Sequence, residues 1–154
     1  MSKLTVELTG ETELIIRRQL KASPDAVFEA HTNPALISKW MIGSPDWSMP
    51  VCQSDPRPGG LIRFEWHHPT RPGFHLTGAY IEVDRPNRTL HVERMFLPDP
   101  TPDNRIETLF KAHDGGTLLV MRMHLPDAAT RSAMLATGMS DGMEMCYNLL
   151  DAMS

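Results

Sequence analysis

The string Gly138-Met139-Ser140-Asp141-Gly142 matches the Gly-x-Ser-x-Gly pattern of serine hydrolases. In those enzymes the serine is a nucleophile, held on a sharp turn between a strand and a helix. Here the string lies inside a run with helical periodicity, so no such turn is predicted. We therefore assign no nucleophilic role to Ser140, and the sequence predicts no catalytic residue.

Three histidines, His67, His68 and His75, lie close together in the sequence and could in principle bind a metal ion. Adjacent side chains of a strand point to opposite faces, however, and the sequence contains no HxH or HExxH spacing. We expect a solvated group of histidines beside a turn, and we expect neither a metal nor a cofactor.

Arg94 is the strongest polar candidate, because strict alternation places it on the buried face of a predicted strand. A buried guanidinium needs a protein carboxylate, or an anionic or carbonyl group of a ligand. In the alternative interpretation, Arg94 lies near the edge of the sheet and reaches water. Tyr80, Glu82 and Glu93 are polar candidates of second rank, and their spacing indicates no acid/base pair.

The elements that would position these residues begin with two strand-like runs, residues 5–8 and 13–20, around a turn at Gly10. Ser23 is an N-cap residue followed by Pro and Asp, and Asn33 is followed by Pro. These signals predict two short helices that cross one face of a sheet as a strap.

Five further strand-like runs follow Trp47, with turns rich in Pro, Gly, Asn and Asp between them: residues 61–67, 74–84, 89–97, 105–113 and 117–125. The gaps are too short for crossover helices, so we expect antiparallel hairpins. Gly78, in the longest run, is expected to let the sheet bend. Alternation predicts an inward face that carries Ile62, Phe64, Trp66, Leu90, Val92, Arg94, Phe96, Ile106, Thr108, Phe110, Leu119, Met121 and Met123.

One long amphipathic helix is predicted from Pro126 and Asp127 almost to Ser154. Gly138 and Gly142 lie on it. A glycine in a helix interior costs about 1 kcal/mol relative to alanine, so we expect a bend, close backbone packing or open space there. Eleven methionines predict an adaptable apolar lining, although a methionine-rich core without a cavity is the alternative.

Length and charge limit the classes of function. The 154 residues, with a net charge of −4, predict one domain, residues 1–154, that binds neither nucleic acid nor an anionic membrane. No apolar run approaches the roughly 18 residues of a membrane span. Cys52 and Cys146 lack metal-type spacing, and the N-terminus has no secretory signal. We expect a soluble, reduced, cytoplasmic protein.

Five motifs are spread over roughly residues 10–153: Ser23 to Ala30, Asn33-Pro34 with Leu36 and Trp40, Arg57 to Gly60, Gly115 to Leu119, and Gly142-Met143 with Tyr147 and Leu150. As a set they resemble the SRPBCC or START-like superfamily. Within it, the chain is similar to the group named after the C-terminal domain of the activator of the heat-shock-chaperone ATPase.

The resemblance implies an α+β helix-grip fold, in which a curved antiparallel sheet of six or seven strands, with two short helices, holds one long C-terminal helix. A hydrophobic cavity lies between sheet and helix. Members bind lipids, polyketides and other apolar molecules, and some are aromatase/cyclases. The chain departs from many relatives in having Met143 where they have tryptophan, and in lacking the additional domain of the chaperone activator.

These observations predict binding of a small hydrophobic molecule in the cavity, without catalysis. The alternatives are a cyclase- or hydratase-type enzyme that uses the same cavity, and a chaperone-interacting module. Trp40 is expected near the entrance, and Leu118 and Val120, on the outer face, hint at a homodimer. The predicted ligand-binding residues are Trp40, Phe64, Trp66, Tyr80, Arg94, Phe96, Phe110, Met121, Met123, Met139, Met143 and Tyr147.

Overall fold

The computed structural model describes residues 3–97 and 99–153. The ends of the predicted 1–154 domain, including Ser154, and Pro98 of a predicted turn lie outside the described residues. The elements in chain order are β1 (Thr5–Thr9), β2 (Glu13–Leu20), α1 (Pro24–Thr32), α2 (Pro34–Trp40), β3 (Ser48–Ser54), β4 (Leu61–His67), β5 (Phe74–Asp84), β6 (Arg88–Phe96), β7 (Asn104–His113), β8 (Gly116–His124), α3 (Ala128–Ala136) and α4 (Met139–Ala152).

The strands form one antiparallel sheet in the order β1-β2-β8-β7-β6-β5-β4-β3. The helices pack against one face, called the inner face below, and the opposite face is called the outer face. This α+β arrangement is consistent with a helix grip. Within the described part of the chain, no helix is long and apolar enough to cross a membrane.

The sheet has eight strands where the sequence predicts six or seven, and β3 is the additional one. Pro50 lies inside β3, and proline usually argues against a strand because it cannot donate a backbone hydrogen bond. An edge strand tolerates this loss, and β3 pairs only with β4, with a register shift between Ser48 and Val51.

The strap forms as its capping signals predict. The Ser23 side chain accepts a hydrogen bond from the backbone N–H of Ala26, and that of Asn33 accepts one from Ala35. The apolar side chains of α1 and α2 then face the sheet, where Phe28 and Trp40 are almost completely buried. The strap therefore supplies part of the wall above the inner face.

The single long C-terminal helix is the other feature that the structure corrects. Two helices, α3 and α4, replace it, because Gly138 has a φ of +78° and ends the first helix in the left-handed conformation. Glycine adopts this conformation at little cost, which makes it a common helix terminator. Of the three readings of the glycines, a bend fits Gly138, and open space fits Gly142, where an added Cβ would meet nothing within 4 Å.

A buried arginine attaches α4 to the sheet. The side chain of Arg18, on β2, is 1% exposed and lies 3.2 Å from Asp151 and 3.6 Å from Glu144. It also donates to the side chain of Asn148 at 2.8 Å. These three α4 residues are spaced four and three apart, so they share one face of the helix. Arg18 thus holds the helix over the inner face.

The buried hydrophobic residues form three groups rather than one. The aromatic cluster, between the strap, α4 and strands β2, β7 and β8, contains Leu20, Val27, Phe28, Ala30, Trp40, Phe110, Leu119, Tyr147 and Leu150. The α2 cluster contains Ile37, Ile62, Phe64, Trp66, Leu76 and Tyr80. The β2–β8 cluster contains Leu14, Ile16, Ile106, Met123 and Leu125.

Candidate functional site

The register of the sheet determines which side chains of β6 face the helices. His91 pairs with Tyr80 on β5, and Glu93 pairs with Asn104 on β7. Tyr80 and Asn104 are buried, at 5% and 0% exposed. Directly paired residues point to the same face of a sheet. The inner face of β6 therefore carries its odd-numbered residues, including His91 and Glu93.

The prediction for β6 is wrong for this reason. Its even-numbered residues lie on the outer face, where Arg94 donates to Asp103 at 2.8 Å and Phe96 stacks on His75 with ring centroids 4.3 Å apart. Arg94 therefore pairs with a protein carboxylate in a half-exposed position and does not point into the interior. The inner-face assignment fails for Leu90, Val92, Arg94 and Phe96.

The polar cluster, defined as His91, Glu93 and Asn104, lies on the inner face where hydrophobic clusters meet. His91 has Tyr80 of the α2 cluster on one side and Ile106 of the β2–β8 cluster on the other. Its Nε2 lies 2.8 Å from Glu93 Oε1, and the two side chains are 17% and 15% exposed. An ionisable pair therefore sits, with some access to solvent, on a mostly apolar face.

Asn104, the third member of the polar cluster, is completely buried. Its Nδ2 donates to the sulfur of Met134, on α3, at 3.5 Å. Its Oδ1 has no hydrogen-bond partner among the described residues. Buried polar atoms are normally hydrogen-bonded, so this oxygen is a free acceptor that calls for an explanation.

His31, on α1, extends the polar character of the interior. Its Nδ1 donates to the carbonyl oxygen of Val27 at 2.8 Å, so its Nε2 is the acceptor for the Tyr147 hydroxyl, 3.3 Å away. Burial is the main cause that lowers the pKa of His31 to about 4, and repulsion from His91 adds to it, although the bond to Val27 opposes the shift. His31 is therefore neutral at pH 7.

The tyrosines of the site are hydrogen-bond donors rather than bases. Burial raises the pKa of Tyr147 and of Tyr80 above the usual value for a phenol. The Tyr80 hydroxyl bonds to Ser54 Oγ at 2.7 Å. Both hydroxyls keep their protons at neutral pH.

The structure brings ten of the twelve predicted site residues to the inner side and leaves out Arg94 and Phe96. Trp40 is in the interior rather than at an entrance, since it is 1% exposed and packs against both His31 and Tyr147, with centroid distances of 4.8 and 5.3 Å. The indole N–H groups of Trp40 and Trp66 donate to backbone carbonyls. Both rings therefore present apolar surface.

Around the polar cluster the inner face is incompletely covered. Apolar side chains that pack against the three clusters remain half-buried there: Val83, Met95, Met121, Met139 and Met143. We call this area, together with His91 and Glu93, the central patch. All of its side chains remain partly accessible to solvent.

Two depressions lie outside this interior. One, of about 350 Å³, is lined mainly by outer-face residues around Arg94 and Phe96. The other, of about 250 Å³, is lined by Leu90 and further outer-face side chains such as Arg105 and Arg122. Neither is the hollow between sheet and helix that the sequence predicts.

Among residues 3–97 and 99–153, no group of three or more His, Cys, Asp or Glu side chains could hold a metal ion.

Sequence analysis missed His31, His91 and Asn104 as site residues and ranked Glu93 second. In β6 three of the four apolar residues, Leu90, Val92 and Phe96, occupy even positions, so alternation indicates that His91 and Glu93 face solvent. Only the pairing of His91 with buried Tyr80 shows that these side chains face the helices. The register shift between Tyr80 and Glu82 hides that pairing from a reading of the sequence.

Comparison with known proteins gives one family. The model described as "Activator of Hsp90 ATPase homolog 1-like protein" matches residues 21–154. No curated protein is significantly similar to the chain.

Solved structures resemble the chain over nearly its whole length. A protein from Rhodobacter sphaeroides is 30% identical, with a TM-score of 0.90 over 98% of this chain and 97% of its own. Protein Ms6760 from Mycobacterium smegmatis is 22% identical, with a TM-score of 0.86 over 97% and 96%. An AHSA1-like protein from Aeromonas hydrophila is 20% identical, with a TM-score of 0.74 over 91% and 92%. The last two show the fold alone.

Proposed function

The chain belongs to the Activator of Hsp90 ATPase homolog 1-like family, and from this premise we propose that it binds a small, largely apolar molecule at the central patch of its inner face. The observation that carries the proposal is the incomplete cover of this face. Methionine and valine side chains of the sheet and of α4 remain half-buried there, and an ionisable pair lies among them.

Desolvation would supply most of the binding free energy. Burial of apolar surface contributes about 25 cal/mol per Å², so a molecule that covers about 300 Å² gains roughly 7 kcal/mol before the costs of association. After an association cost of at least about 4 kcal/mol, such a gain supports binding in the millimolar range. The long, flexible side chains of Met121 and Met143 can move to fit the shape of the molecule.

A matched pair of α4 variants tests the location of the site. Met143 packs against the aromatic and β2–β8 clusters, whereas Met145, on the same helix, is 49% exposed. We expect Met143→Trp to fill the central patch and weaken binding of the neutral fluorescent probe N-phenyl-1-naphthylamine at least tenfold. Met145→Trp should leave the dissociation constant unchanged within twofold.

Native mass spectrometry of the purified chain complements this titration, because a co-purified molecule would appear as an added mass that Met143→Trp removes. Thermal unfolding of both variants shows whether they fold. If folded Met143→Trp binds the probe as tightly as the unaltered chain, the site is not at the central patch.

An enzyme of the cyclase or hydratase kind is the second candidate, and the His91–Glu93 pair favours it. A carboxylate that accepts from one nitrogen of an imidazole leaves the other nitrogen able to accept a proton. A hydratase would change the mass of a recovered ligand by one water, and His91→Gln would abolish that change. Recovery of an unaltered ligand after prolonged incubation would contradict catalysis. The chaperone-interacting alternative rests on the family description alone.

A further inference from the structure

The free atoms of the polar cluster share one property, which is that they are hydrogen-bond acceptors. Asn104 Oδ1 is buried and unpartnered among the described residues. Glu93 uses Oε1 for His91, and its second carboxylate oxygen can accept further bonds. In a neutral His91 whose Nε2 donates to Glu93, the other ring nitrogen, Nδ1, is an acceptor.

The sheet leaves room beside these acceptors. Gly78 is the β5 residue directly opposite Glu93, so β5 places no side chain next to the carboxylate. A Cβ at this position would lie 2.3 Å from the carbonyl oxygen of Val92, which is too close for any residue except glycine. On the other side, Glu93 is paired with Asn104. A ligand group over Gly78 would therefore lie next to Glu93, whose other paired neighbour on this face is Asn104.

Asn104 is covered by a side chain that can move. Met134 contacts it from α3, a helix with no fully buried residue. Methionine has three flexible side-chain bonds, so a bound molecule can displace it without unfolding the helix.

We propose that the molecule bound at the central patch carries a hydrogen-bond donor, either a hydroxyl or a protonated amine, that binds Glu93 and Asn104. This inference rests on the proposed function and specifies the class of ligand that the site takes. A donor would satisfy the orphaned oxygen of Asn104. A ligand carbonyl or carboxylate would instead face an oxygen and leave it unpaired.

A series of eight-carbon probes separates these possibilities: 1-octanol, octylammonium, 2-octanone and octanoate, each titrated into the full chain by calorimetry. The chains bury similar apolar surface, so their differences report the polar group. We expect 1-octanol or octylammonium to bind at least tenfold more tightly than 2-octanone, and octanoate to bind most weakly.

Three variants test which residues cause the preference for a ligand that carries a hydrogen-bond donor. Asn104→Leu removes the orphaned oxygen at similar volume and should reduce the preference for the alcohol over the ketone to within twofold. Glu93→Gln removes the charge and should weaken octylammonium selectively. Glu65→Gln, on the outer face of β4, is the control and should change neither ratio.

The outcomes distinguish this inference from the function on which it rests. If none of the probes binds, both are wrong. If all four bind with equal affinity, or if the ketone or the carboxylate binds most tightly, the inference is overturned while binding at the central patch stands. Should Asn104→Leu unfold, the preference of the unaltered chain and of Glu93→Gln decides the question.

Discussion

At the level of single residues, the inner face differs from an ordinary apolar sheet face because ionisable side chains are built into it. Each is held by specific partners: Arg18 by α4, His91 by Glu93, and His31 by a backbone carbonyl and a tyrosine. Burying such groups is costly unless they are paired. Their charge states therefore bear directly on the stability of the fold.

His31 should make the fold sensitive to acid. Its pKa is about 4 in the folded chain and about 6.5 in an unfolded one. As the pH falls below about 6.5, the unfolded chain takes up a proton that the folded chain rejects, so stability falls until the pH passes 4. Between pH 7.5 and 5 this group costs about 2 kcal/mol of unfolding free energy.

Urea unfolding at both pH values measures this cost against His31→Leu, which cannot titrate. The unaltered chain should lose about 2 kcal/mol more than the variant on acidification. Equal losses would show that His31 does not remain neutral in the folded state.

Arg18 should contribute far more to stability than its neighbour in sequence. Arg18→Met leaves Glu144 and Asp151 without their buried cation, and loss of one partner of a buried ion pair costs about 3 to 5 kcal/mol. Arg17 forms a half-exposed pair with Glu7, and such surface pairs contribute about 0.5 kcal/mol. Chemical denaturation of Arg18→Met and Arg17→Met should show this contrast, and similar losses would contradict it.

At the level of elements, two glycines one turn apart have opposite roles. Gly138 has a positive φ, so Gly138→Ala should destabilise the chain by about 1 kcal/mol. Gly142 lies within α4 with open space around it, so Gly142→Ala should stabilise the chain by up to about 1 kcal/mol. Thermal or urea unfolding of the two variants should give shifts of opposite sign. Shifts of the same sign would contradict the helix break.

How much could be predicted from the sequence also differs between elements. The strap follows from local capping chemistry at Ser23 and Asn33, which does not depend on distant residues. The split between α3 and α4 does not follow from local sequence, because a glycine such as Gly138 can either lie within a helix or end it. Edge strand β3 contains a proline, which local rules count against any strand.

The candidate site was predictable in its apolar part only. Residues such as Phe64, Trp66 and Phe110 follow the alternation that local pattern rules capture. His91 and Glu93 break it, because polar side chains occupy the inner face of β6, and only the non-local pairing with Tyr80 and Asn104 reveals this. Positions where a local rule fails are candidates for function, and we propose this role for His91 and Glu93.

At the level of the whole molecule, all the helices lie on one face, and the outer face of the eight-stranded sheet is free of them. Leu118 and Val120 lie on that outer face and are half-buried, and the homodimer that they hint at stays a prediction. The proposed ligand site and the predicted homodimer contact therefore lie on opposite faces of the sheet.

The arginine that fastens α4 acts on only one half of the helix. Its three partners begin at Glu144 and end at Asp151, whereas the start of the helix adjoins the glycine break and a preceding helix without any fully buried residue. The cover over the central patch is thus anchored by Arg18 at its far end and not at its near end. Under the proposed function, a shift of this near end alone would admit molecules of different length, while the anchored end would keep the architecture intact.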